Sequence, residues 1–205
     1  MVQLKRFRRP RRYDRRVRPK MQMSRQALQP MGAQLTCKRY FEAAAVPGND
    51  GTPQGGLAYT FKLNDLANVT DFTNLFAAYK ITGVAYRWVL KTNPDITATN
   101  FKGQNVRVLF ANDYNDSTAP ATDSVLKEFG NSQEVWLSSA NPASRWFFVR
   151  PRVEIANIGQ LSTWIDTAGA PGQPHFGVKA YWTNMFTGVY LVPEFRYYLA
   201  FKQVK

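Results

Sequence analysis

Beyond residue 30, apolar and polar side chains alternate with a period of two in several stretches of the chain. This spacing puts one set on a single face of a β-strand. Leu35, Cys37, Arg39, Phe41 and Ala43 alternate with Thr36, Lys38, Tyr40 and Glu42, and only Arg39 spoils the apolar set. Val84, Tyr86, Trp88 and Leu90 alternate with Ala85, Arg87, Val89 and Lys91, giving one apolar face and one partly basic face. Near the C-terminus, Phe195, Tyr197, Leu199 and Phe201 stand opposite Glu194, Arg196, Tyr198 and Lys202. Further strands are expected at Leu57–Leu63, Asn105–Ala111, Glu134–Ser138, Arg145–Arg150, His175–Thr183 and Tyr190–Val204, divided by connections rich in Gly, Pro, Asn, Asp and Ser.

The period changes in two places. Phe72, Leu75, Phe76 and Tyr79 fall at i, i+3, i+4 and i+7, which predicts a two-turn helix with Thr70 as its cap and Thr82-Gly83 ending the pattern. Thr122–Phe129 is the second helical candidate. Pro47–Gly56 is turn chemistry throughout; it lacks the Lys-Ser/Thr and the glycine spacing of a phosphate-binding loop, and reads as a plain connection. Seven or eight strands with scarcely any helix predict an all-β domain, a sandwich or a barrel.

Charge divides the chain. Residues 1–25 hold eleven of its 27 Lys and Arg but one of its 14 acids, Asp14, so they carry +10 and the remainder only +3. So dense a block of like charge repels itself and serves as a tail for a polyanion. Its few apolar residues cannot offset the entropy of ordering it, so residues 1–30 are expected to form a disordered arm and residues 31–205 one folded domain. The lone cysteine, Cys37, rules out intramolecular disulfides and a four-cysteine zinc site. No apolar run approaches a membrane span, and no membrane insertion is expected. Pro10 and Pro19 break the amphipathic helix that a mitochondrial presequence needs.

Nine of the arm's cations are arginines, Arg6, Arg8, Arg9, Arg11, Arg12, Arg15, Arg16, Arg18 and Arg25, joined by Lys5 and Lys20. Guanidinium forks bind phosphate bidentately and stack on bases, which favours nucleic acid over an acidic protein surface. Phe7 and Tyr13 lie among them, suited to stacking on unpaired bases. These eleven cations are the candidate binding residues; the strand cations Lys38, Arg39, Arg87, Lys91, Arg196 and Lys202 are candidates to extend them, or simply a solvated face. His175 is the single histidine, with no nucleophile or metal ligand assembled around it, and reads as structural. Asp113, Asp116 and Asp123 do not match a calcium loop and read as turn formers. The five tryptophans read as core and interface anchors rather than a sugar cleft. No catalytic residue, metal or cofactor is expected.

An Arg-rich N-terminus followed by Phe61-Lys62-Leu63-Asn64-Asp65-Leu66-Ala67-Asn68-Val69-Thr70-Asp71-Phe72-Thr73-Asn74-Leu75-Phe76-Ala77-Ala78-Tyr79-Lys80-Ile81-Thr82-Gly83-Val84 resembles the capsid proteins of circovirus-like, Rep-encoding circular single-stranded DNA viruses. The resemblance implies a single eight-stranded antiparallel jelly roll with short helices in its loops. It also implies a homo-oligomer of about 60 copies in an icosahedral shell, and a basic arm facing a packaged single-stranded DNA genome. The protein would be a component of the virion. In a eukaryotic host the Lys/Arg clusters would also address it, through nuclear import receptors, to the nucleus. A coat protein of a small RNA or satellite virus shares fold and arm, and a cellular nucleic-acid-binding protein shares the tail without the assembly.

Overall fold

The computed structural model describes residues 34–92, 105–155, 158–161 and 163–204. The expected arm therefore lies outside the described residues. In chain order the elements are β1 (Leu35–Glu42), β2 (Val46–Pro47), β3 (Gly55–Phe61), α1 (Val69–Leu75), β4 (Phe76–Thr92), β5 (Val106–Asn112), α2 (Asp123–Lys127) and β6 (Gln133–Leu137). There follow β7 (Phe147–Val149), β8 (Arg152–Ile155), β9 (Ile158–Leu161), β10 (Ile165–Asp166), β11 (His175–Thr183) and β12 (Val189–Val204).

Two antiparallel sheets face one another. The first is ordered β1-β12-β4, with β7 and β10 pairing different stretches of the far edge of β4. In the second, β11 is flanked by β3 and β5, β6 lies outside β5, and the β8–β9 hairpin meets β11 at His175 and Phe176. Taking the longer connections only, the orders are β1-β12-β4-β7 and β3-β11-β5-β6. The first strand pairs with the last and the second with the last but one, which is the winding of an eight-stranded jelly roll. The expected all-β fold is thus the one observed, with the short β2, β8, β9 and β10 as additions the pattern did not announce.

The predicted helix is corrected. α1 stops at Leu75, and Phe76 and Tyr79 belong to β4, where they pair with Val204 and Phe201. Ladder bonds along a seventeen-residue strand outweigh one further helical turn. Only Phe72 of the intended helical face is buried within α1, and Leu75 is 53% exposed. Asn68, in the left-handed region at φ 60°, stands at the N-cap in place of Thr70. Thr82-Gly83 does not end an element. It forms a bulge in β4, where the register against Tyr198 and Leu199 skips Thr82. The second candidate helix is present as α2, shorter than the expected Thr122–Phe129, with Thr122 at its N-cap position but making no side-chain capping bond.

The core between the sheets is strongly aromatic: Trp88, Tyr79, Tyr86, Tyr197, Phe61, Phe110, Phe195 and Phe201 are all fully buried. Their rings meet mainly edge-on or tilted, as Phe61 does against Phe195 at 5.3 Å, which suits the ring quadrupole. Buried phenols keep a partner: Tyr197 donates to Asp65 Oδ2 at 2.7 Å, Tyr86 to Asn112 Oδ1 at 3.0 Å and Tyr79 to the Ala170 carbonyl at 3.0 Å. Gly177 is required where β11 bulges, because a Cβ there would lie 2.0 Å from the ring of Phe61. A smaller apolar layer, Leu109, Ala111 and Tyr181 under Leu126 of α2, covers the outer side of the second sheet.

Candidate nucleic-acid interface

The chain reaches the first sheet through β1, whose first residue, Leu35, follows Arg25 by ten positions. The eleven arm cations lie outside the described residues, so the built part of the candidate interface is the outer face of that sheet. Residues alternate in β1, β12 and β4 so that Cys37, Phe41, Phe195, Tyr197, Leu199, Val84, Tyr86 and Trp88 enter the core. Their neighbours therefore face outward.

Cross-strand pairing lays these outward residues in rows. Lys38 pairs with Tyr198, and Tyr198 with Gly83. In the next row Tyr40, Arg196, Ala85 and Phe148 run from β1 across to β7. The third row brings Glu42, Glu194 and Arg87 together. At the far end Lys202 pairs with Ala78, which in turn pairs with Asp166 of β10. Five of the six strand cations singled out in the sequence therefore share this face. The sixth, Arg39, is on the other side of β1, its guanidinium 5.2 Å above the ring of Phe72, which explains how an arginine sits in the apolar set. Lys80 joins the face unannounced. Counting by twos back from Arg87 would bury it, but the bulge at Thr82-Gly83 reverses the parity, and Ile81 goes inside instead.

Six cations on this face, Lys38, Lys80, Arg87, Lys91, Arg196 and Lys202, stand against three carboxylates, Glu42, Glu194 and Asp166. Arg87 Nε holds Glu194 at 2.6 Å and Lys91 holds Glu42 at 2.6 Å. Lys38, Lys80, Arg196 and Lys202 have no ion pair among the described residues. Three of them rest on rings: Arg196 lies 3.7 Å from the centroid of Trp146, Lys38 is 5.6 Å from that of Tyr198, and Lys202 is 4.7 Å from that of Trp164. Trp146 also takes Arg87 at 4.8 Å. Stacked in this way the cations keep their full charge on a pre-ordered stem. Partial burial, together with a hydrogen bond to Glu194 and that residue's charge, pushes the Tyr40 phenol up to about 12, so it stays a neutral donor.

The middle of the face is aromatic and open. Phe148 is 52% exposed although it lies within a strand, and its ring rests on Gly83, where a Cβ would come within 2.3 Å of it. Tyr198 meets Phe148 edge-on at 5.9 Å. Beside Tyr198 is a hollow of about 300 Å³ lined by Thr36, Cys37, Lys38, Thr82, Tyr198 and Leu199.

Other candidate residues fall elsewhere. His175 is fully buried, and its Nδ1 lies 3.1 Å from the carbonyls of Phe61 and Gln173; burial lowers its pKa to about 4, so the ring is neutral. Asp113 and Asp116 form turns as expected, accepting from the amides of Asn115 and Thr118, and all three aspartates are in addition ion-pair partners. Asp113 and Asp116 grip Lys179 at 2.8 and 2.5 Å, and Asp123 meets Arg107 at 3.1 Å and Lys127 at 2.7 Å. The tryptophans divide: Trp88 and Trp182 are core, Trp146 and Trp164 support cations of the basic face, and Trp136 is 52% exposed on β6.

A family model described as circovirus capsid protein matches residues 3–205. No curated protein sequence matches the chain. Among solved structures, the BFDV capsid protein, crystallised as a 60-mer, superposes with a TM-score of 0.52 at 15% identity over 83% of this chain and 93% of that one. The nodavirus of the prawn Macrobrachium rosenbergii, solved as a semi-empty particle, superposes with a TM-score of 0.51 at 7% identity over 84% and 94%. Cucumber leaf spot virus gives 0.55 at 10% identity over 84% of this chain and 57% of that one. These likenesses bear on the fold.

Proposed function

The chain belongs to the circovirus capsid protein family, and on that footing we propose that copies of it close into a small icosahedral shell around a single-stranded DNA genome, held by residues 1–25 and by the basic face of the first sheet. As a capsid protein it is a component of the virion, with a structural role. The shell count we adopt is about 60, that of the BFDV assembly.

The observation that carries this reading is that the basic arm and the basic outer face of the first sheet are joined by one short uncharged stretch, residues 26–37. The eleven cations of the arm precede β1, the edge strand of the sheet whose outer face, among the described residues, has cations in excess of carboxylates. Binding is then electrostatic and indifferent to sequence: phosphates displace counterions around Lys and Arg, and the released ions drive association. About 60 arms of +10 bring roughly 600 positive charges to one cavity, enough to offset several hundred phosphates. In a eukaryotic host the same Lys/Arg clusters suit nuclear import receptors, which would place the protein in the nucleus before assembly.

Electron microscopy and light scattering on the purified protein, before and after nuclease and with added single-stranded DNA, test the proposal. Closed particles on the order of 200 Å across are expected. A monomer that persists with DNA present would overturn the proposal that the chain closes into a shell around the genome.

A further inference from the structure

We propose that Phe148 is a stacking platform for an unpaired base, so that the folded domain, and not only the arm, selects single-stranded over double-stranded nucleic acid. The inference rests on the reading of this face as a nucleic-acid interface and deepens it by naming the form of nucleic acid it takes.

An exposed phenylalanine on the outer face of a sheet normally has cover to gain from a larger neighbour. Here the opposite holds. The residue beneath Phe148 is Gly83, where a Cβ would come within 2.3 Å of the ring tip, so the ring packs against backbone while about half of the residue, 52%, stays exposed. Tyr198 meets it in a T-shaped pair at 5.9 Å, the two rings inclined at 62°. Two strands over in the same row, beyond Ala85, is Arg196, which has no ion pair among the described residues and is held in place against Trp146 at 3.7 Å. Lys38 lies at the other end of the neighbouring row, three strands away or roughly 14 Å. The ring therefore has on its β4 side two cations that lack an ion pair among the described residues, Arg196 on β12 and Lys38 beyond it on β1; a base on the ring would send its phosphates along that line, and any base would serve because each has a π-face of its own.

Duplex cannot use it. Its bases are stacked on one another and only their edges reach the grooves, so a duplex would meet Arg196 and Lys38 through phosphates and leave Phe148 idle. A second copy of the chain is the competing occupant for the ring, but an apolar partner there would bury Arg196 and Lys38 without carboxylates to meet them.

The test uses the full chain and three fluorescent probes of equal length: oligo-dT, an abasic deoxyribose-phosphate strand, and a duplex. Phe148→Leu keeps an apolar cover over Gly83 but removes the π-face. Affinity for oligo-dT should fall about fivefold or more, affinity for the abasic strand and the duplex should stay within about twofold, and Phe148→Trp should restore oligo-dT binding. With 5-bromodeoxyuridine in the strand, the photo-crosslink should map to the Phe148 peptide. Equal losses on all three probes, or no loss on any, overturns the stacking role. Loss of assembly with unchanged oligo-dT binding overturns it in favour of a copy-to-copy contact. Failure of the wild-type chain to bind any of the three overturns the nucleic-acid reading itself, which separates that failure from failure of the platform.

Discussion

The two outer faces of the sandwich treat charge differently. On the second sheet, the cations of β5, α2 and β11 are all paired: Arg107 with Asp123 and Glu134, Lys127 with Asp123, and Lys179 with Asp113 and Asp116. On the first sheet Lys38, Lys80, Arg196 and Lys202 have no ion pair among the described residues, and rings rather than carboxylates support three of them. Paired charges fix loops and helices to a sheet. Charges stacked on aromatics do nothing for a neighbouring loop but leave a field outside the protein. The second sheet has one cation of the same kind, Arg152 of β8, which rests on the Tyr114 ring at 4.7 Å without an ion pair among the described residues, so the difference is one of degree: unpaired cations are concentrated on the first sheet.

The largest expected effect sits at the end of the basic system. Deleting residues 2–25 should remove most of the salt dependence of single-stranded DNA binding, whose log K against log salt should have a slope near −6 if about eight arm cations engage. What slope remains measures the sheet face alone; an unchanged slope removes the arm from the interface. The same substitution made on each face sharpens the contrast further. Lys179→Met leaves Asp113, which is 6% exposed, without its partner and should cost about 3–5 kcal/mol in urea unfolding. Burial pulls the Lys179 pKa down, but hydrogen bonds to Asp113 and Asp116 raise it overall, and Lys179 in turn holds Asp116 at about 2. The charged form is therefore the one that is built in. Lys38→Met should change stability by no more than about 0.5 kcal/mol and weaken DNA binding instead.

Acid should act on the second sheet first. His175 joins β11 to β3 and β8 and is fully buried with a pKa near 4, against about 6.5 in the unfolded chain. Below pH 6.5 the unfolded state takes up a proton that the folded state refuses, so stability falls as pH drops from 6.5 to 4, by about 3 kcal/mol in all. Urea midpoints measured across that window should show the slope in the wild-type chain and lose most of it in His175→Gln. Hydrogen exchange should quicken in β3 and β11 before β4 and β12.

The all-β fold was legible where a long strand buries mainly one face, as in Val84–Leu90 and Phe195–Phe201, whereas β11, buried on both faces, shows no such alternation. The pattern failed where two periods coincide. Phe72, Phe76 and Tyr79 satisfy helical spacing, yet Phe76 and Tyr79 are inward residues of β4, and only the distant partner β12 decides between the two. The short strands β8, β9 and β10 were unreadable because they are two to four residues long, too few for a period to show. Of the basic face, the cations were visible and their common side was not. Arg39 falls on the wrong parity, Lys80 is brought round by a bulge, and Phe148, inside an expected strand, was marked out only by the glycine opposite it. The arm is the reverse case, fully visible in composition and outside the described residues.

The smallest effect separates two arginines of the same face. Arg87 and Arg196 both lie against Trp146, at 4.8 and 3.7 Å, and removing either subtracts one charge. Arg87, however, is committed to Glu194, a carboxylate 6% exposed, whereas Arg196 has no ion pair among the described residues. Arg196→Gln should therefore reduce the salt slope by about 0.7, the share of one phosphate contact on a single strand, and leave stability nearly unchanged. Arg87→Gln should leave the slope almost as it was, since the arginine was already neutralised, but destabilise the domain by about 1–3 kcal/mol by stranding Glu194. Lys127→Gln on α2 should leave the slope untouched. If all three substitutions shift the slope alike, the unpaired cations of the first sheet have no special part in binding, and the two faces differ only in how they hold the fold together.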